Sequence, residues 1–180
     1  MRDISIAATA VLAAASFAAA DTFVINVDGV ESWDSEGSPN NTVLSFDVAS
    51  AIGLPAGTDV IWTGAEWDVT ITPQGGSWYS EAVVGFDTGN LSFAPGFGDD
   101  FSGTDPLSYS GVVNFQEALG TDFLIAGGVL TLEFYESFDD AVDTIDALWS
   151  GSLTLTVIPA PGAMALLGVA GLAGTRRRRG

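Results

Sequence analysis

Cysteine, histidine and lysine are all missing from this chain of 180 residues. Without cysteine there is no disulfide and no thiolate nucleophile. With histidine gone as well, Cys/His zinc sites and Ser-His-Asp triads are excluded. The absence of lysine removes Schiff-base chemistry. Basic side chains of any kind are scarce: the five arginines sit at the two ends, as Arg2 and Arg176 to Arg179. Apolar residues are plentiful at 47%, and charged ones make up only 16%, a composition that fills the core of one ordinary domain.

The charge falls in blocks. From Asp21 to Val157 there are 22 acidic residues and no basic one, so no salt bridge forms within that stretch. Nothing there neutralises phosphates, which argues against nucleic acid as a partner. Such a surface repels itself and stays dissolved, at some cost to compactness. It also offers no cation to steady an oxyanion. A domain of this size has little room for a catalytic cleft, and we read the protein as no enzyme.

The two ends read as address labels. Arg2 precedes an alanine-rich apolar run, Ile4 to Phe17, and Ala18-Ala19-Ala20 supplies small residues before a polar chain resumes at Asp21. This is the pattern of a secretory signal peptide over residues 1–20, cut by signal peptidase between Ala20 and Asp21. The other end begins with Pro159-Ala160-Pro161-Gly162, where two prolines end the preceding strand. An apolar, small-residue segment follows over 163–174, and then the arginine cluster Arg176, Arg177, Arg178 and Arg179. A helix over that segment spans about 21 Å, against a bilayer core of roughly 30 Å, so it suits a transient membrane hold better than a permanent span. The arginines keep its end on the cytoplasmic side.

This tail over 159–180 resembles the PEP-CTERM sorting signal of Gram-negative bacteria, a short proline motif, an apolar helix and terminal arginines. Here the motif reads Pro159-Ala160-Pro161 where Pro-Glu-Pro is usual. The resemblance implies recognition by an exosortase, a membrane-embedded transpeptidase-like enzyme. It also implies export to the cell surface or extracellular matrix, often alongside exopolysaccharide.

Between the tails, residues 21–158, apolar and polar residues alternate with period two. Phe23, Ile25 and Val27 do so, as do Leu44, Phe46 and Val48; Trp67, Val69 and Ile71; Leu130, Leu132 and Phe134; and Leu153, Leu155 and Val157. Further apolar stretches run over 60–62, 82–86, 91–93 and 111–115, with Gly, Pro and Asn turn signals between them. Eight or nine short strands predict an all-β fold, an antiparallel β-sandwich or jelly roll. The stretch 115–124 reads as a helical turn.

Two groups of side chains carry candidate chemistry. The densest acidic stretch includes Glu133, Glu136, Asp139, Asp140, Asp143 and Asp146. On a helix or tight turn, Asp139, Asp143 and Asp146 share a face, an oxygen-rich arrangement that suits calcium. The other reading of these residues is a solvated acidic loop. Trp33 and the pair Trp78-Tyr79 lie in polar loops. Exposed together, they would stack sugar rings while neighbouring carboxylates hold hydroxyls, as in a module that binds exopolysaccharide. The alternative is that they pack inside.

Overall fold

The structure is a computed structural model, and it describes residues 19–89, 91–139 and 143–162. Ten strands account for most of it: β1 (Asp21–Asn26), β2 (Val30–Ser32), β3 (Thr42–Asp47), β4 (Val60–Pro73), β5 (Ala82–Phe86), β6 (Leu91–Phe93), β7 (Leu107–Asn114), β8 (Phe123–Ile125), β9 (Val129–Glu136) and β10 (Ala147–Pro159). Two short helices, α1 (Val48–Ala51) and α2 (Phe115–Leu119), interrupt them.

The strand order follows from folding the chain in half. The outermost long strands pair with each other, β1 with β10, and the next pair inward is β3 with β9; then come β4 with β7 and β5 with β6, all antiparallel. This nested ribbon wraps so that β10 also pairs β4 and β9 also pairs β5. Two sheets result, β1-β10-β4-β7 with β2 and β8 added to it, and β3-β9-β5-β6. The order is that of a two-sheet jelly roll, the wrapped form of the sandwich expected from the alternation.

Aromatic pairs bridge the two sheets: Phe23 to Phe46 at 5.6 Å, Trp62 to Phe86 at 4.9 Å and Phe134 to Trp149 at 5.2 Å between ring centroids. These sit among buried Ile25, Val69, Ile71, Leu130, Leu132, Leu155 and Val157, the inward positions of the alternating runs.

The stretch 60–62 and the run from Trp67 turn out to be one strand of 14 residues, although their inward positions have opposite parity. A bulge reconciles them. Thr156 lies opposite Gly64 and Val157 opposite Trp62, so Thr63 has no cross-strand partner, and its hydroxyl donates to the Thr156 carbonyl at 3.1 Å. Where β10 crosses β4, Gly151 has φ 101°, and a Cβ there would stand 2.2 Å from the Asp68 carbonyl oxygen. Only glycine fits this close approach.

Local expectations were corrected in three places. Val30–Ser32, which leads into the Trp33 loop and lies outside every alternating run, forms β2 against β10. The expected turn over 115–124 divides into α2 and strand β8, which pairs β4. The Asn114 side chain caps α2 by accepting from the Glu117 N–H at 3.0 Å. Val48, the last member of an alternating run, enters α1, which is capped by Asp47.

Asp21 lies opposite Val157, so the first and last strands of the domain leave it side by side. Strand β10 ends at Pro159, the first residue of the proline motif, and the Ala160 N–H still donates to the Asp59 carbonyl at 3.1 Å. Pro161 and Gly162 are exposed. The expected signal peptide up to residue 18, the apolar segment 163–174 and Arg176 to Arg179 lie outside the described residues. Among the described residues no helix is long and apolar enough to cross a membrane.

Candidate functional site

Strand β10 is 13 residues long, which separates its two ends by about 40 Å. The proline-containing segment Pro159–Gly162 leaves from one end. The other end begins at Ala147, and there β2, the end of β4 and the end of β9 come together with the loops 33–41 and 74–81 and the described segments 137–139 and 143–146. The polar residues of the domain that are buried concentrate here: Ser32, Asp34, Asn41, Ser77, Glu81, Glu136 and Asp146.

Glu136 is at the centre. It continues the inward parity of Leu130, Leu132 and Phe134, which drives a carboxyl into the core with 1% of its surface exposed. On one side the Trp149 Nε1–H donates to Ser32 Oγ at 3.2 Å, and Ser32 Oγ donates to Glu136 Oε1 at 2.5 Å. On the other side Ser77 Oγ lies 3.3 Å from Glu136 Oε2 and 3.3 Å from Glu81 Oε2. The Trp78 N–H also donates to Glu81 Oε2, at 2.8 Å.

Burial pushes the Glu136 carboxyl up to about 8; the Ser32 bond opposes this, and Asp146 adds to it, as does Glu81 more weakly. At neutral pH the group is therefore mainly protonated. That proton also completes the hydrogen bonding. Ser77 has a single hydroxyl hydrogen and two carboxyl neighbours. With Glu136 protonated, its O–H donates to Ser77 Oγ, and Ser77 donates to Glu81.

A second network ties the loops above this core. Asp34 Oδ2 accepts from Ser38 Oγ at 2.6 Å and from Asn40 Nδ2 at 3.0 Å, and Oδ1 accepts from the Asp143 N–H at 2.9 Å. Asn40 Nδ2 also donates to Asp143 Oδ1 at 2.7 Å. Asn41 holds Glu133 at 2.8 Å, and the Gly37 N–H donates to the same oxygen at 2.7 Å. The Ser38 bond, with the Asp143 N–H next, keeps the Asp34 carboxyl below its ordinary value. Replacing Asp34 by alanine strands the Asp143 N–H and frees two loops. The expected loss is about 3 kcal/mol of stability, from the hydrogen bonds to a charged acceptor. Chemical denaturation of Asp34→Ala checks it; an unchanged midpoint would show the network to be dispensable.

The acidic stretch does not assemble as the calcium reading requires. Asp143 adopts a left-handed φ of 63° and turns toward Asp34 and Asn40, whereas Asp146 is buried beside Ser32. Asp139 is half-buried in the preceding turn, and Asp140 lies outside the described residues. Among the described residues no helix carries Asp139, Asp143 and Asp146 on one face. Among the described residues no group of three or more acidic side chains converges on a common point where a metal would sit.

The expected aromatic trio also separates. Trp78 is 42% exposed, but Tyr79 is 2% exposed, with its ring on Phe101 at 5.1 Å and its hydroxyl donating to the Asp105 carbonyl. Trp78 makes an isolated bridge to Ser102, and Tyr79 enters the turn that the Glu81 N–H closes on the Trp78 carbonyl. Tyr79 is therefore a core residue and cannot stack a sugar. Trp33 is half-buried, and its Nε1–H donates to Glu31 at 3.1 Å. The companion of Trp78 is instead Phe138, 62% exposed. Together with Gly75, Gly76 and Glu81 these two rings line an open cleft at this end of the sandwich. A lone phenylalanine in an acidic loop was the one available signal for it, and sequence reasoning missed it. Trp78 and Phe138 thus present two exposed rings with Glu81 alongside.

No protein-family model matches the chain. No curated protein matches it in sequence. Among solved structures it is similar to the T=1 particles derived from infectious bursal virus, at 13% identity over 91% of this chain and 37% of that one, with a TM-score of 0.36. A structure of the infectious bursal disease virus Gt strain gives 14% identity over 91% and 40%, with a TM-score of 0.37. Dimeric latent PorU from Porphyromonas gingivalis gives 10% identity over 83% and 14%, with a TM-score of 0.30. The chain thus spans less than half the length of each of these structures.

Proposed function

We propose that this protein is an exported, non-catalytic surface or extracellular-matrix protein, sorted through its C-terminal tail by an exosortase-like enzyme. The observation that carries the reading is the coincidence of β10's last residue with the start of the tripartite tail at Pro159. The last strand of the folded domain ends on the first residue of the proline motif. The signal peptide read over 1–20 supports export in the same way, since β1 begins at Asp21. In this account the precursor is held briefly in the membrane by the segment 163–174 and is then delivered outside.

The exposed Trp78 and Phe138 beside Glu81 favour a second reading of the domain itself, as a carbohydrate-binding module for exopolysaccharide. The cleft stands at the end of the sandwich remote from the tail, so a chain held by its C-terminus presents it outward. A direct binding enthalpy with the host's neutral exopolysaccharide, lost in Trp78→Ala, would carry this second reading; equal binding by the variant would remove it.

The sorting reading is tested by cell fractionation. Replacing Arg176 to Arg179 by serine is expected to leave the protein folded and exported but to abolish its arrival at the surface or matrix. Surface delivery that is indifferent to the replacement would overturn the reading.

A further inference from the structure

A second cavity lies within the sandwich, away from the Trp78 cleft. Its volume is about 220 Å³. The floor is made by Trp62, Phe115, Leu153 and Leu155, all buried. Lining residues that keep contact with solvent include Glu66 and Trp67 of β4, Leu91, Ser92 and Phe93 of β6, Val113 of β7 and Leu119 of α2. Strands β6 and β7 end the two sheets, and the cavity opens beside them. The cause is topological: β6 has three residues and β7 eight, so one sheet runs short of cover for the other.

The side wall is built with some care for space. The Trp67 ring leans over Gly111 of β7, where a Cβ would stand 2.3 Å from the indole. It meets Phe93 edge-on at 4.4 Å between centroids. Glycine at 111 thus lets a large aromatic lie flat along the opening, where a bulkier residue would force it off the wall.

We infer that this cavity is a binding site for a small, neutral, apolar molecule of about nine or ten non-hydrogen atoms, such as a fused aromatic or a short alkyl chain. Size comes from proportion: an apolar cavity of about 150 Å³ stays dry and admits benzene. Charge comes from the sequence, since no cationic side chain between Asp21 and Val157 is available to receive a carboxylate, sulfate or phosphate head. The acidic domain repels anions from the mouth as well. Chemistry comes from the walls, which offer aromatic rings and aliphatic methyls and almost no polar surface. The site is independent of the proposed glycan cleft and of the sorting tail.

The test uses the full chain in detergent-free buffer with naphthalene as the neutral probe and 2-naphthoate as its anionic counterpart. Methyl resonances of Leu91, Val113, Leu153 and Leu155 are expected to shift saturably with naphthalene, and the melting temperature to rise with its concentration. The same shifts with 2-naphthoate are expected to need at least tenfold more ligand. Ala65→Phe, which fills the cavity from β4, and Leu91→Trp, which fills it from β6, are each expected to weaken naphthalene binding at least tenfold. Using both keeps the test alive if one variant fails to fold. Shifts absent from these methyls, or unchanged affinity in a folded filled variant, would overturn the site. Equal affinity for the two probes would overturn its preference for neutral molecules.

Discussion

Between about pH 5 and pH 8 the folded domain is expected to lose stability by a few kcal/mol as pH rises, because Glu136 must either stay protonated or be charged in the core. Its carboxyl stands at about 8 in the fold against an ordinary 4.5. Across that interval the native state binds more protons than the unfolded chain, so the slope of stability against pH is negative. The contribution is complete below about 4.5 and gone above about 8. The full separation sets an upper bound of roughly 5 kcal/mol.

At the acid end the sign reverses. Asp28 is held low chiefly by the Gly151 N–H, Asp34 by Ser38 and Asp47 by Ser50, and each loses its stabilising charge as pH falls through its depressed value. Maximum stability is thus expected near pH 4 to 5, roughly where the two trends meet. Glu136→Gln keeps the acceptor for Ser32 and presents an amide N–H to Ser77, as the protonated acid does. It is expected to flatten the profile and to raise stability at about pH 8 by a few kcal/mol. Urea denaturation at a series of pH values reads both effects. A flat wild-type profile, or a glutamine variant less stable at high pH, would contradict the buried-acid account.

Salt gives the other large effect. Folding concentrates 22 carboxyl groups with no cationic side chain between Asp21 and Val157. Raising ionic strength from about 0.01 M to about 0.15 M shortens the Debye length from about 30 Å to about 8 Å. The melting temperature is expected to rise by several degrees over that range, with little further gain above it. Since Asp139, Asp143 and Asp146 do not converge, calcium and magnesium at matched ionic strength are expected to act alike. A melting temperature indifferent to salt would show that the self-repulsion is negligible. A gain specific to calcium at millimolar concentration, lost in Asp143→Asn, would instead establish a cation site in that loop.

The alternating runs made the fold legible because each sheet has one buried face, and a strand of five or more residues shows its period. Leu130, Leu132 and Phe134 announced β9 in this way. Three-residue strands carry too few residues to show a period, so β2 and β8 could be seen only through their partners. The bulge at Thr63 hid the length of β4, because it reverses which positions face inward.

The same logic, carried two residues further along β9, would have put Glu136 in the core. Its charge argued for solvent, and the parity of the strand prevailed. Tyr79 went the other way: adjacency to Trp78 suggested a shared face, but the turn after Trp78 leaves the Tyr79 ring on Phe101 and its hydroxyl on the Asp105 carbonyl. Phe138 and the inter-sheet cavity depend on how loops and strand lengths meet across the sandwich, and no local pattern encodes that.

The sorting account is tested most directly by intact-mass spectrometry of the protein recovered from the cell surface or matrix of the organism that makes it. The account predicts a mature chain that begins at Asp21. It further predicts that this chain is abundant outside the cell only when Pro159 to Gly162 and Arg176 to Arg179 are intact in the precursor. A chain that keeps Met1, found inside the cell and unaffected by changes to those residues, would contradict it.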